Sequence, residues 1–221
     1  KMIKKFKIKP ENIFIACDCK KKYIWRLPLY ENYKANRDKI KEKKNVGSDI
    51  QGYTYNVLIP EVANELKVNI LKCNSAEADD IIAITTKYIR SNFPIEKVII
   101  IATDMDYLQL VDDKQFIDVQ DAKYKSIVHK SIGTNEQDLT YKIILGDSSD
   151  NIYSCFKRCG KKTAVKYALD HEELEKAFTK TPEARQRFLF NKKIIDFNFI
   201  PDEIVNSITK ELKTFIPKKR D

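Results

Sequence analysis

Apolar residues fall along the chain into two patterns, short segments of strand length and longer stretches with helical spacing. Four segments have the length of strands, 12–17, 68–71, 97–102 and 115–119, and the first of them is continuous rather than alternating. Four further stretches have helical spacing: 55–66, 75–90, 106–111 and 135–145. Continuous apolar runs are typical of parallel strands that are buried on both faces. The pattern therefore predicts an α/β fold with a mostly parallel central sheet and helices on both faces.

Residues 147–221 have helical spacing throughout, with turns near Gly160, Pro182 and Pro201. We therefore expect two domains, an α/β core at 1–146 and a helical region at 147–221. We place Ser75 as the N-cap of the helix after the second strand, and Gly146 at the end of the last core helix. No apolar run approaches the roughly 18 residues of a membrane span, and the first residues lack an apolar signal region. We expect an intracellular, soluble protein of the cytoplasm, the nucleus or a viral replication site, with no membrane partner.

The net charge of +9 is unevenly distributed. Residues 1–44 carry 15 Lys or Arg against 5 Asp or Glu, and residues 151–221 carry 16 against 10. The stretch between them at 75–150 is acidic, with 8 against 14. Two basic regions favour a polyanionic partner, most simply nucleic acid. The alternative is that a coding bias makes lysine abundant and that these lysines are only solvated.

Carboxylates follow the predicted strands. Asp18 comes after the first strand, and Asp104 and Asp106 come after the third, at the edge where open α/β sheets bind ligands. Further acids open the helix after the second strand or form a turn: Glu77, Asp79, Asp80, Asp147 and Asp150. Two carboxylates about 4 Å apart repel by about 4 kcal/mol at an effective dielectric of about 20. Eight acids at one edge would therefore need cations or protons to neutralise them.

Oxygen ligands favour Mg²⁺ or Mn²⁺, and the five cysteines and two histidines of the chain form no zinc-binding pattern. Carboxylates that bridge two such ions suit in-line attack on a phosphodiester. Each acid group alone has a simpler explanation, namely a helix dipole for Asp79 and Asp80, or an N-cap for Asp104. An ordinary turn would explain Asp147 and Asp150. Their joint occurrence at one predicted edge favours the metal site.

Three acidic motifs and one turn occur in an order that is recognisable. They are Ala76-Glu77-Ala78-Asp79-Asp80, Thr103-Asp104-Met105-Asp106, Gly146-Asp147-Ser148-Ser149-Asp150 and Gly160-Lys161-Lys162-Thr163. In order and interval they resemble the 5′-nuclease superfamily, which contains the flap endonucleases and the 5′→3′ exonucleases of phages and bacterial DNA polymerases. The resemblance covers about residues 10–170 and includes Asp18 as the acid after a catalytic strand.

The resemblance implies a role for each matching residue. In such enzymes the eight acids hold two or more divalent ions, Mg²⁺ or Mn²⁺, at the scissile phosphate. The basic segment of about 20–45, which includes Arg26, resembles the arch of the family. There Lys34 and Arg37 would contact the phosphate and Tyr33 would stack on a displaced base, which suits a basic, aromatic-bearing stretch. The turn at 160–163 resembles a helix–two-turn–helix that grips duplex DNA, and in relatives it also binds K⁺.

The chain departs from the family pattern in two places. Relatives carry an earlier strand with another catalytic Asp, whereas only 17 residues precede Asp18 here and the chain begins with Lys1. We therefore expect the sequence to be part of a longer polypeptide, or to lack its N-terminal segment. Relatives also have a Pro-Gly-Ile-Gly-like run in the turn, where this chain has Tyr153-Ser154-Cys155-Phe156-Lys157-Arg158-Cys159-Gly160. A lost glycine restricts positive-φ conformations, so we expect altered K⁺ binding or an altered grip on DNA.

The sequence predicts a monomeric, divalent-metal-dependent, structure-specific 5′ nuclease. We expect it to act on DNA with a 5′ flap or a 5′ end, or on RNA–DNA hybrids, in DNA replication and repair. One alternative is a branched-DNA-binding module of the same fold that has lost catalysis. Another is a ribonuclease of the related small-nuclease group, which the duplex-DNA turn at 160–163 disfavours. The basic tail at 218–220 is a candidate binding segment for a replication protein.

Overall fold

The structure, a computed structural model, describes residues 2–37 and 48–215. Within these residues four strands form two parallel pairs. β1 (Phe14–Cys17) pairs with β2 (Asn69–Lys72), and β3 (Val98–Ile101) pairs with β4 (Ile117–Gln120). The predicted α/β class with parallel strands is confirmed. The ladder hydrogen bonds of the described residues form two two-stranded sheets rather than one continuous sheet, and each strand has only four residues.

Helices follow the strands and make up the rest of the regular structure. The α-helices with described bounds are α1 (Met2–Phe6), α2 (Ser48–Tyr53), α3 (Ile59–Leu66), α4 (Ala78–Asn92), α5 (Asn135–Leu145), α6 (Lys161–Leu169), α7 (His171–Lys180), α8 (Pro182–Ile195) and α9 (Asp202–Leu212). Short 3-10 helices lie at Pro10–Asn12, Lys21–Tyr23, Met105–Leu110, Val128–Lys130, Ser148–Asp150 and Phe197–Phe199, and a π turn lies at Thr54–Leu58. No helix in the described part of the chain is long and apolar enough to cross a membrane.

Local sequence signals fix the bounds of α5. Thr134 and Gln137 form a capping box, in which each side chain accepts a hydrogen bond from the other residue's backbone N–H. The helix ends at Gly146, whose φ is 73°. A side chain at Gly146 would place its Cβ 2.5 Å from the carbonyl oxygen of Ile152, so this position needs glycine. The predicted helix at 135–145 is therefore confirmed, together with the turn that carries the following acids.

Two local predictions need correction. The helix after β2 begins at Ala78, so Ser75 is not its N-cap, and the turn before the helix is two residues longer than predicted. The predicted helix at 55–66 starts with a π turn, in which the N–H of Ile59 bonds to the carbonyl of Thr54. Pro60 then lies in the first turn of α3, where its missing N–H is tolerated.

By its internal contacts the chain divides into two compact units. The first unit contains Lys1–Trp25, Asp38–Thr85 and Pro201–Asp221, and the second contains Arg26–Arg37 and Thr86–Ile200. Each unit holds one pair of strands. The sequential division at residues 146 and 147 differs from these units and stays a prediction.

The first unit is built around β1 and β2. Leu71 of β2 and Ile81 of α4 are fully buried. The apolar face of α9 contributes Ile204, Ile208 and Leu212 to this core. The ring of Phe14 packs edge-on against that of Phe215 at a centroid distance of 5.5 Å. This packing fixes the ends of β1 and β2, from which the acids of the first unit project.

The second unit has a helical core behind its acids. Ile144 of α5, Ala164 of α6, Leu174 and Phe178 of α7 and Ala184 of α8 form one buried cluster. The rings of Phe156 and Phe178 stack at 5.6 Å. Since α5 and α6 flank residues 146–160, their packing holds the turn at 147–150 and the turn at 160–163.

Candidate functional site

Asp18 lies at the carboxyl end of β1, where backbone and side-chain donors hold both of its oxygens. Its Oδ1 accepts a hydrogen bond of 2.8 Å from the backbone N–H of Ala78, the first residue of α4. Its Oδ2 accepts one of 3.2 Å from the hydroxyl of Tyr55. Because β1 and β2 are parallel, α4 starts at the same edge as the end of β1. Asp18 is exposed, so this edge is open to solvent.

Asp80 is the buried member of the acids that open α4. It is 0% exposed, and its Oδ2 accepts hydrogen bonds of 3.0 Å from the backbone N–H of Glu77 and from the indole Nε1 of Trp25. Asp80 therefore caps its own helix, which satisfies one N–H of the first turn. Glu77 is also buried, and Asp79 is half-buried.

The charges of three of these acids act on the thiol of Cys19. Burial raises the pKa of Cys19 to about 11, and the charges of Glu77, Asp18 and Asp80 add to the effect. Three of the predicted ligands in the first unit therefore act on one point. Like charges so arranged are stabilised by a cation.

In the second unit, Lys142 lies between two of the predicted ligands. Its Nζ is 2.6 Å from Oδ1 of Asp106 and 2.8 Å from Oδ2 of Asp147. Asp104 caps the 3-10 turn that carries Asp106, by accepting a 2.9 Å hydrogen bond from the N–H of Asp106. Lys142 is in the last turn of α5, five residues before Asp147. The geometry therefore places an ammonium group between Asp106 and Asp147, two of the acids that the sequence analysis predicts to be metal ligands.

The pKa values of this group follow from burial and from the lysine. Burial raises the pKa of Asp106 to about 7, against the opposing effect of Lys142. Burial also acts to raise the pKa of Asp147, but hydrogen bonds from Lys142 and Ser149 outweigh it and lower the value to about 2. Burial disfavours the charged form of Lys142, but the two acids raise its pKa above the usual range. The lysine is therefore charged at neutral pH.

Sequence reasoning missed Lys142. One signal was available, because it is the only Lys or Arg between residues 131 and 156, in a stretch rich in acids. A single basic residue in such a stretch can form an ion pair with any of several acids. Nothing in the spacing indicates which of them it contacts.

Asp150 binds the start of the basic segment. Its Oδ1 accepts a hydrogen bond from the guanidinium of Arg37, its Oδ2 is 3.7 Å from Nζ of Lys34, and the hydroxyl of Tyr33 donates to Oδ2 at 3.3 Å. The backbone N–H of Lys34 also donates to the carbonyl of Asp150 at 3.0 Å. The structure thus brings both predicted phosphate-contacting residues to a predicted metal ligand.

Asn151 extends this contact. It adopts a left-handed backbone with a φ of 65°, its carbonyl accepts from the Tyr30 hydroxyl at 2.7 Å, and its side chain bonds to Asn32 and Asn36. These bonds fix residues 30–37 on the turn at 147–151. The remainder of the predicted arch at 38–45 lies outside the described residues.

Arg26 and Tyr33, the other two residues predicted to contact DNA from the basic segment, are both buried. Arg26 is 3% exposed, and its Nε donates to the carbonyl of Ile194 at 2.7 Å. Tyr33 is also buried, with the guanidinium of Arg26 over its ring at 5.9 Å. Their burial is comparable to that of Glu77 and Asp80. The roles of Arg26 and Tyr33 at DNA therefore stay predictions.

The turn before α6 is exposed. Gly160, Lys161, Lys162 and Thr163 all face solvent, and no side chain caps the helix. A Cβ at Gly160 would meet no atom within 4 Å, and its φ of −95° suits any residue. The left-handed conformation of this turn falls instead on Arg158, with a φ of 58°. The chain therefore forms the turn without the glycine that the family pattern has.

The described residues contain no group of three or more His, Cys, Asp or Glu that is already arranged around one ion. The donor set nevertheless fits a hard divalent cation, since it consists of carboxylate oxygens at strand ends. The position of Lys142 supports this fit, because a cation already lies between Asp106 and Asp147.

Comparisons with known proteins cover the whole chain. Residues 1–138 match the family described as 5′-3′ exonuclease, N-terminal resolvase-like domain, and residues 133–221 match the C-terminal domain of T4 RNase H. The chain is 27% identical to the Ribonuclease H of Enterobacteria phage T4 over 223 residues, which cover 92% of this chain and 70% of that protein.

Solved structures agree on the fold. The 5′-exonuclease of phage T5 with bound zinc has a TM-score of 0.70 at 18% identity, covering 97% of this chain and 87% of that one. The flap endonuclease of bacteriophage T5 in a complex with DNA and metal ions has a TM-score of 0.74 at 18% identity, covering 97% and 86%. At such identities the likeness establishes the fold alone.

Proposed function

Because the chain belongs to the 5′-3′ exonuclease family with an N-terminal resolvase-like domain, we propose that it is a divalent-metal-dependent, structure-specific 5′ nuclease. Its reaction is hydrolysis of a phosphodiester near a 5′ end or at a junction of single-stranded and duplex DNA. The observation that carries the proposal is the placement of acids after parallel strands in each unit. Asp18 follows β1, and Asp104 and Asp106 follow β3.

In the first unit the proposed ligands share one edge of the β1–β2 pair. They are Asp18, Glu77, Asp79 and Asp80. When bound, Mg²⁺ or Mn²⁺ would supply positive charge at the phosphate and lower the pKa of water. The protein's own part is to hold the carboxylates in place. The bonds from Ala78 and Tyr55 to Asp18 support this part, since hydrogen-bond donors to a metal ligand hold it in its orientation.

In the second unit the proposed ligands are Asp104, Asp106, Asp147 and Asp150. Lys142 forms ion pairs with two of them, Asp106 and Asp147, and supplies one positive charge to this group. A divalent ion bound there would supply two. The ammonium group therefore helps the fold to tolerate these closely spaced acids without a metal.

Lys34 and Arg37 are the proposed contacts to the scissile phosphate. Both side chains reach Asp150, so they already lie at an anionic oxygen. A phosphate oxygen offers the same hydrogen-bond acceptor to these cations. The exposed residues Gly160, Lys161, Lys162 and Thr163 are the proposed contacts to duplex DNA, and this turn is the proposed K⁺ site.

DNA with a 5′ flap is the substrate that we favour, because a T5 relative of the same fold is a flap endonuclease in complex with DNA. The name of the phage T4 relative adds the RNA strand of an RNA–DNA hybrid as a second substrate. We propose DNA replication and repair as the processes in which the protein meets these substrates. We propose that the protein acts as a monomer. The basic tail at 218–220, proposed to bind a replication protein, lies outside the described residues.

The test is cleavage of a 5′-labelled flap and of an RNA–DNA hybrid with Mg²⁺, beside an EDTA control. Asp104→Asn and Asp147→Asn are expected to abolish cleavage but to retain DNA binding in a gel shift. Asp112→Asn is the matched control, because Asp112 is an exposed acid of the same unit. Unchanged turnover in both site variants would refute the assignment. Binding of branched DNA without cleavage at any metal concentration would favour the catalytically impaired module.

A further inference from the structure

Tyr55 is a residue outside the sequence motifs that contacts a proposed metal ligand directly. Its hydroxyl donates to Oδ2 of Asp18 at 3.2 Å, across 37 residues of chain. The other oxygen of Asp18 accepts from the N–H of Ala78 at 2.8 Å. One carboxylate therefore has one donor on each oxygen, which restricts its rotation about the Cβ–Cγ bond. All three residues belong to the first unit.

The backbone around Tyr55 has an unusual form that aims the ring. Thr54–Leu58 is a π turn, with the N–H of Ile59 bonded to the carbonyl of Thr54. A π turn adds one residue to a helical turn and occurs frequently at functional sites. Tyr55 lies inside this turn, so its side chain is offset by up to about 100°, the angle of one helical residue, from its place in a continuous α-helix. Tyr55 can therefore face Asp18 while Ala63 of α3 stays buried.

We propose that Tyr55 is a positioning residue of the nuclease site, whose hydroxyl holds the Asp18 carboxylate in the orientation that binds a divalent cation. This inference rests on the proposed function of Asp18 as a ligand. The hydroxyl orients the ligand and does not touch the substrate. Donors of this kind typically change metal affinity by about 10-fold or more when they are removed.

A purely structural role predicts a different result. Asp18 is exposed, so water replaces the lost bond when the hydroxyl is removed. The ring of Tyr55 is retained in Tyr55→Phe, so its packing is unchanged. We therefore expect the metal-free melting temperature to stay within about 2 °C of the parent value.

The experiment compares the parent protein, Tyr55→Phe and Tyr53→Phe. Tyr53 is the matched control, since it lies two residues away in the same helical segment and is 57% exposed. Mn²⁺ binding is measured from the electron paramagnetic resonance signal of the free ion, and flap cleavage is measured against Mn²⁺ concentration. Tyr55→Phe is expected to raise the half-saturating Mn²⁺ by about 10-fold in both assays, with the maximal cleavage rate restored at high Mn²⁺. Tyr53→Phe is expected to match the parent.

The outcomes separate this inference from the proposed function. Equal Mn²⁺ affinity in Tyr55→Phe and the parent overturns the positioning role, even if both cleave DNA. A fall in metal-free stability without a shift in half-saturation also overturns it, because the bond is then structural. If the parent binds Mn²⁺ but cleaves no substrate, the nuclease function fails, and the binding assay still decides the role of Tyr55.

Discussion

The proposed ligands of the two units differ in the groups that bind them. In the first unit, Asp18 accepts from neutral donors, a backbone amide and a phenol. In the second unit, Asp106 and Asp147 share the ammonium of Lys142, and Asp150 is paired with Lys34 and Arg37. Acids that are all proposed to bind metal thus have different electrostatic environments in the two units. An ion bound at Asp18 would therefore displace no charged donor, whereas an ion bound between Asp106 and Asp147 would replace an ammonium group.

Removal of the cation is the largest expected effect. Lys142→Met leaves Asp106 and Asp147 close together without their shared partner. We expect the free energy of unfolding without metal to fall by about 3 kcal/mol, the lower end for a broken buried ion pair, because the site is partly open. Added Mg²⁺ should recover part of the loss. Urea unfolding with EDTA and with Mg²⁺ measures both, with Lys130→Met as the exposed control. Equal stability of Lys142→Met and the parent in EDTA would contradict this view of the second unit.

The next effect concerns the charge of Asp147 and its pH dependence. Its pKa is lowered to about 2 by the bonds from Lys142 and Ser149, which outweigh burial, against about 3.9 in the unfolded chain. Such a group stabilises the fold above pH 4 and loses that contribution as the pH falls through about 2. Relative to the parent, Asp147→Asn should lose about 2 kcal/mol at pH 7 without metal, after allowance for its partial exposure. Urea unfolding between pH 7 and pH 3 should show the difference shrinking only below pH 4. A constant difference would argue against the charge as its origin.

Asp18 should behave differently when it is neutralised. Asp18→Asn retains an oxygen that can accept from Ala78, and the site is exposed to water. We expect the metal-free stability to change by less than about 1 kcal/mol, as for a hydrogen bond between neutral groups. The same substitution should strongly reduce metal-dependent cleavage. Thermal unfolding in EDTA checks the first expectation. A loss as large as that of Asp147→Asn would remove the contrast between the units.

The smallest stability effect is expected at the exposed end of the Asp150 contact. The side chain of Arg37 is 48% exposed, so its ion pair is largely screened by solvent. Arg37→Gln should cost about 0.5 kcal/mol or less, measured by urea unfolding. Cleavage should fall much more, because the phosphate contact is lost. A large stability loss with unchanged cleavage would make Arg37 a structural residue.

The sequence predicts this fold best where local chemistry is decisive. The bounds of α5 were predictable because the capping box at Thr134 and the glycine at Gly146 are both local signals. The N-cap assigned to Ser75 was wrong because a polar residue before a helix is ambiguous when acids follow it. The π turn at Thr54–Leu58 has no local signature of this kind. Its form depends on packing between residues distant in sequence.

The functional residues also differ in whether a local sequence pattern or the tertiary structure reveals them. Acids at strand ends are visible as a pattern, whereas the partner of each acid depends on tertiary structure, as Lys142 illustrates. The mixed basic and aromatic stretch around Arg26 and Tyr33 is typical of exposed nucleic-acid contacts. A buried cation against an aromatic ring has the same composition, so the sequence alone does not predict that the guanidinium of Arg26 lies over the ring of Tyr33.

The hydrogen bond from Trp25 to Asp80 gives the protein a spectroscopic probe of its own. Trp25 is the only tryptophan of the chain, and its indole Nε1 donates to Asp80 at 3.0 Å. Indole emission responds to the charge and hydrogen bonding of its neighbours. Its wavelength and intensity should therefore change when an ion binds Asp80. Rapid mixing with Mg²⁺ would then measure the rate at which an ion binds the proposed ligands of the first unit. The measurement needs no label and is separate from DNA cleavage.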